Sequence, residues 1–163
     1  MKDTKISILY VDDEVNNLVA FKANFRTFCE VHTAESAAEG LEILRKTRIH
    51  VIITDQRMPN MTGVQFLEAV IKEFPDPVRI LLTGYSDIQA VVEAINKGQV
   101  YRYIMKPCIM DELKITISNA YEVYCLKEEN RELIKSLMRA NEQLEFMLRQ
   151  RLLALDGNPE DEK

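Results

Sequence analysis

Acidic, hydroxyl and ammonium side chains recur at the ends of short apolar runs in this sequence. Ile6–Val11 ends in Asp12-Asp13-Glu14, Val51–Thr54 in Asp55, Arg79–Thr83 in Gly84, and Tyr101–Met105 in Lys106-Pro107. Each piece alone has an ordinary reading. Asp13 or Glu14 can cap a helix, Asp55 can open a turn, Thr83-Gly84 can be a plain strand exit, and Lys106 can be a solvated loop charge. Gathered at one rim they become costly. Two carboxylates about 4 Å apart repel by roughly 1 kcal/mol in water and about 4 kcal/mol at an effective dielectric of 20. Such a cluster calls for a cation, and a hard, oxygen-preferring ion such as Mg2+ fits, with Lys106 as a second positive group. The combination suits phosphoryl transfer. An aspartate can act as nucleophile and form an acyl phosphate. The ion and the ammonium neutralise the equatorial oxygens of the transferring group, and Thr83 can hydrogen-bond one of them. Asp55, central by strand number, is the candidate nucleophile.

Those ends meet only if the runs are strands of one parallel sheet. Runs of continuous apolar character and this length predict strands buried on both faces, with a weaker fifth around Val31–Thr33. Between them the spacing is helical: Ala37, Leu41 and Leu44; Phe66, Val70 and Phe74 with Leu67; then Val91, Val92 and Ile95. Five strands alternating with helices over about 120 residues predict an α/β fold with helices on both sheet faces. In such sheets, sites form beyond the carboxyl ends of the strands. Pro59, Gly63, Pro75, Pro77, Gly84 and Gly98 fall between the periodic segments. Ser36 with Glu39 reads as a capping box, and Asp87 and Asp111 as helix caps.

Composition changes near residue 120. Tyr121–Leu155 contains no Gly or Pro and follows a seven-residue register. Val123, Asn130, Leu137, Leu144 and Arg151 occupy one seam position; Leu126, Leu133, Ala140, Met147 and Ala154 occupy the other. This predicts a coiled coil, with Asn130 fixing register and favouring a parallel homodimer. Cys125 falls off the seam. The other reading of this stretch is a single amphipathic helix packed on a further domain. The expected division is therefore 1–120, 121–155 and a frayed polar tail, 156–163.

The motifs Asp12-Asp13, Asp55-Gln-Arg-Met-Pro-Asn-Met-Thr-Gly63, Thr83 and Tyr103-x-x-Lys106-Pro107 together resemble the receiver domain of two-component response regulators, over about residues 5–120. The resemblance implies a flavodoxin-like, doubly wound sheet of order 2-1-3-4-5. It implies that a histidine kinase or phosphotransfer protein phosphorylates Asp55. It implies Mg2+ held by Asp12, Asp13, the Asp55 carboxylate and the Arg57 backbone carbonyl, a phosphoryl group bound by Thr83 and Lys106, and Tyr103 as a switch aromatic. Arg57 and Tyr85 stand where the family tunes acyl-phosphate lifetime, and the bulky Tyr85 is expected to hinder the attacking water. Cys108 after Pro107 departs from a common aromatic there and reads as an inert buried thiol.

Composition narrows the rest. With 163 residues, 47% apolar and 29% charged, the chain can bury a real core. A net charge of −5 gives no basic footprint for direct nucleic-acid binding. No run approaches the roughly 20 apolar residues of a membrane span, and the start is too quickly acidic for a secretory signal. Three widely spaced cysteines point to a reduced, cytoplasmic setting. The main reading is a non-enzymatic phospho-switch acting on a downstream effector protein through contact. The alternative is an input module of a longer regulator with an enzymatic (for example cyclic-dinucleotide) or DNA-binding output. Small-molecule phosphatase activity is opposed by Arg57, which cannot serve as the general acid two residues past Asp55.

Overall fold

In the computed structural model, residues 5–97 and 99–157 are described. The chain runs β1 (Ile6–Val11), α1 (Val15–Phe25), β2 (Cys29–Ala34), α2 (Ala37–Lys46), β3 (Val51–Asp55), α3 (Gly63–Glu73), β4 (Val78–Thr83), a 3-10 turn (Tyr85–Asp87), α4 (Ile88–Asn96), β5 (Arg102–Met105) and α5 (Met110–Asp156). The strands form one parallel sheet in the order β2-β1-β3-β4-β5, the doubly wound, flavodoxin-like arrangement expected.

Strand alternation divides the core in two. Ile8, Tyr10, Ile53, Ile80 and Leu82 pack with Leu18, Phe21 and Phe25 of α1 and with Leu113, Ile117 and Ala120 of α5. Leu9, Val11, Ile52 and Leu81 pack with Leu44 of α2, Phe66, Leu67 and Val70 of α3, and Val91 and Ala94 of α4. β1, β3 and β4 are covered on both faces, which is why their sequences are continuously apolar. β5 departs from that expectation. It is an edge strand, and Arg102 and Tyr103 are exposed. Glu30 on β2, the other edge, is exposed as well.

The helix starts differ in detail from the sequence reading. The Ser36 hydroxyl accepts the Glu39 amide, but the Glu39 carboxylate turns back to the Glu35 amide rather than to Ser36. A reciprocal capping box forms instead on α3, between Thr62 and Gln65. Glu14 holds the cap position of α1, but its carboxylate accepts the Asn17 side-chain amide and caps no backbone amide. Asp87 precedes α4 without capping it, because its carboxylate is taken by Arg57. Asp111 is no cap either; α5 begins at Met110 and places Asp111 and Glu112 in its first turn, where negative charge suits the helix dipole.

The chain divides into two compact units, Met1–Tyr124 and Cys125–Lys163. The first extends slightly past residue 120 because Ala120 and Tyr124 are buried and the His50 ring lies 5.1 Å from Tyr121 and 4.8 Å from Tyr124. Val123 is partly buried against the same core. The second unit is helical through Asp156. In it Leu126, Leu133, Leu137, Leu144 and Met147 are exposed, as are Ile134, Met138, Leu148 and Leu152. Gly98 and the end of the expected frayed tail, 158–163, lie outside the described residues. No helix among the described residues is long and apolar enough to cross a membrane.

Candidate functional site

Parallel pairing brings the carboxyl ends of β1, β3, β4 and β5 to one edge. Val11 lies beside Thr54, Asp55 beside Leu82, and Thr83 beside Met105. Residues remote in the chain therefore converge. Asp12 is fully buried, Asp55 is 9% exposed and Asp13 is exposed, and the three offer carboxylate oxygens within 4.8 Å of one another. Lys106 Nζ sits 2.9 Å from Asp55 Oδ1 and 3.9 Å from Asp12 Oδ2. Asp55 Oδ1 also accepts the Gln56 amide at 3.0 Å. Burial holds the Asp55 carboxyl above its ordinary range; Lys106 opposes that shift and Asp12 adds to it.

The donors are all oxygens. A hard divalent ion matches them, and the absence of nitrogen and sulfur from the cluster argues against zinc or copper. An open cavity of about 470 Å³ gives access, lined by Asp13, Asp55, Arg57, Gly84, Ser86 and Lys106.

Thr83 is fully buried at the end of β4, and its hydroxyl donates to the Gly84 carbonyl at 3.2 Å. The adjoining loop is tied across the site. Arg57 Nε donates to Asp87 Oδ2 at 3.0 Å, and its Nη2 donates to the Ser86 hydroxyl at 2.6 Å. Tyr85 stands 82% exposed beside them. Tyr103 on β5 is 37% exposed and turned from the core. Asp12, Asp13, Asp55, Arg57, Thr83, Tyr103 and Lys106 thus lie at or beside one sheet edge, with the three aspartates within 4.8 Å of one another and Lys106 reaching Asp12 and Asp55.

Four contributors had no role of their own assigned from the sequence. Gly63 was read as a breaker and as the last residue of the Asp55 motif. A Cβ there would meet the Asp55 carbonyl oxygen at 2.3 Å and Leu81 Cδ1 at 2.7 Å, so α3 starts hard against the acceptor strand. Gln56 accepts the Val64 amide through its side chain, and its carbonyl accepts the Gly63 amide. Together they close the β3–α3 loop, in which Asn60 adopts a left-handed φ of 67° that asparagine tolerates. Tyr10 and Asn17 both donate to Asp12 Oδ2. Only a Tyr placed two residues before the acidic pair hinted at this. Cys108, expected to be buried, is half-buried on the wall of a groove of about 430 Å³ beside Lys106.

Known proteins place this geometry. The family model of the response regulator receiver domain matches residues 8–118. The hydrogenase transcriptional regulatory protein HoxA of Bradyrhizobium diazoefficiens is 37% identical over 123 residues, 76% of this chain but 25% of that protein. The chain thus spans about a quarter of the length of the curated relatives it matches. A solved structure described as adenylate cyclase from Rhodopirellula baltica superposes with a TM-score of 0.78 at 36% identity, covering 80% of this chain and 98% of that one. A response regulator receiver domain protein from Clostridium thermocellum gives 0.71 at 35% identity, covering 74% and 98%. Fold, site and family model agree, and the chain belongs to the response regulator receiver domain family.

Proposed function

We propose that Asp55 accepts a phosphoryl group from a histidine kinase or phosphotransfer protein and that the chain transmits this state to a downstream effector. The observation that carries the reading is the 2.9 Å contact of Lys106 with Asp55 inside a three-carboxylate cluster. Asp12, Asp13, Asp55 and the Arg57 backbone carbonyl would hold Mg2+. When bound, the ion supplies charge neutralisation for the incoming phosphoryl oxygens.

The chain's own residues do the rest. An Asp55 carboxylate oxygen attacks phosphorus as the bond from phosphorus to the donor's imidazole nitrogen breaks, and the imidazole leaves with that electron pair. Lys106 swings its ammonium from the free carboxylate to a phosphoryl oxygen. Thr83 gives up its bond to Gly84 and donates to another. The space this vacates under the loop is what Tyr103 can enter from its exposed position. The added charge, roughly −1.5 to −2, is what biases the switch. Exposed Tyr85 hinders water at the acyl phosphate; a Tyr85→Ala chain that loses phosphate no faster than the parent rejects this role.

Residues 121–155 are read as a dimerisation helix, seamed by Val123, Leu126, Asn130, Leu133, Leu137, Leu144 and Met147 in a parallel homodimer. The length of the relatives supports a second reading of the output: a receiver that serves as input module to an enzymatic or DNA-binding domain. The chemistry at Asp55 is common to both readings. Incubation with Mg2+ and acetyl phosphate, followed by intact mass, is expected to add one phosphoryl group. Addition that survives Asp55→Ala or chelation of Mg2+ rejects the proposal.

A further inference from the structure

Asp12 is fully buried, and its two oxygens are held from several sides. Oδ1 accepts the Glu14 amide at 2.9 Å. Oδ2 accepts the Tyr10 hydroxyl at 2.8 Å and the Asn17 side-chain amide at 3.0 Å, with Lys106 Nζ at 3.9 Å. The Glu14 bond follows from the strand-to-helix turn, and Lys106 belongs to the phosphoryl site. Tyr10 and Asn17 are required by neither. Tyr10 lies among the aliphatic residues Ile8, Leu9 and Val11 on a buried strand, where phenylalanine would fill the same space.

The Tyr10 ring is itself fixed. It is 4% exposed, lies 4.4 Å from Phe21, and Phe21 stacks on Phe25 at the same separation. The hydroxyl is thereby carried on a rigid aromatic stack shared with α1. Asn17 reaches the same oxygen from the first turns of α1.

We infer that Tyr10 and Asn17 are positioning residues for the divalent-ion site, holding the Asp12 carboxylate in one orientation before the ion arrives. The inference rests on the proposed metal site and deepens it. Outer hydrogen bonds that orient a ligating group commonly change metal affinity 10–100-fold when lost. Within Tyr10 the roles divide: the ring serves the core and the hydroxyl serves Asp12.

The test is a calorimetric titration of the full chain with Mg2+, paired with melting curves in chelator. Tyr10→Phe is expected to fold cooperatively and to weaken Mg2+ binding about tenfold. Asn17→Ala, which leaves the buried ring in place, is expected to weaken it by a smaller factor. Tyr10→Leu, which removes the ring, is expected to lower the melting temperature in chelator as well. A purely structural role would lower melting in chelator and leave the Mg2+ dissociation constant of Tyr10→Phe unmoved. That result, with Asn17→Ala also binding like the parent, overturns the inference. If the parent itself fails to bind Mg2+, the metal reading falls and takes this inference with it. A parent that binds, together with an Asp13→Asn chain that does not, keeps the two failures distinct.

Discussion

Asp55 illustrates how a residue's function works against its fold. Its carboxyl is held above the ordinary value by burial, so protonation is favoured more in the native than in the unfolded chain. The stability this group contributes is therefore present at low pH and lost as pH rises through its native value. Above that value, ionised Asp55 weakens the metal-free fold. Asp55→Asn should melt higher than the parent in chelator and gain less from added Mg2+; paired melting curves with and without the ion check both halves. Gly63 makes the opposite bargain, serving packing alone. A methyl there would overlap the Asp55 carbonyl, so Gly63→Ala should destabilise by about 1–3 kcal/mol, read from the urea midpoint. At Cys29 burial pushes the thiol pKa up to about 12, which makes it an inert core residue. Asp12, Asp13, Asp55, Thr83 and Lys106 were all legible as types at strand ends. The hydroxyl of Tyr10 was not, because a tyrosine in an apolar run looks like any other core aromatic until its neighbours are known.

Among the elements, α5 is held to the sheet at Tyr121 and Tyr124 by a contact that sequence periodicity does not show. Ser7 donates its backbone N–H to His50 Nδ1, and the ring packs against Tyr121 and Tyr124. Arg48 donates to the Tyr124 hydroxyl. Burial first, then Arg48, lowers the His50 pKa, while Glu30 opposes them. His50 thus prefers to be neutral in the native state. Its contribution is complete above about pH 6.5 and is lost as pH falls through that value toward the lower native one. Amide exchange at Tyr121–Tyr124, corrected for intrinsic rates, should quicken between about pH 7.5 and about pH 5.5. His50→Phe should flatten that dependence. His50 had no legible role, since the groups around it come from β1, from the segment before β3 and from α5.

For the whole molecule, the proposed coiled coil is tested by the oligomeric state. The exposed side chains from Leu126 to Met147, the proposed seam, would leave large apolar surface in water in a single chain. The chain should therefore sediment as a dimer at micromolar concentration. Leu137→Glu with Leu144→Glu should convert it to a monomer that still takes up phosphate at Asp55; a monomeric parent rejects the seam. Asn130→Leu should tighten association and loosen its specificity. The sequence by itself determined the strand and helix periods, the acidic and basic residues at the strand ends and the uninterrupted heptads, because these are local or near-local patterns. Tertiary structure alone decided that Lys106 meets Asp55, that Arg57 bridges to Asp87 and Ser86, and that Tyr10 and Asn17 grip Asp12. It also decided that β5 is an exposed edge and that Tyr124 closes the first unit. The physical reason is the same in each case: side-chain distances across a parallel sheet are set by strand order and register, and crossover connections separate neighbouring strands by more residues than any local pattern spans.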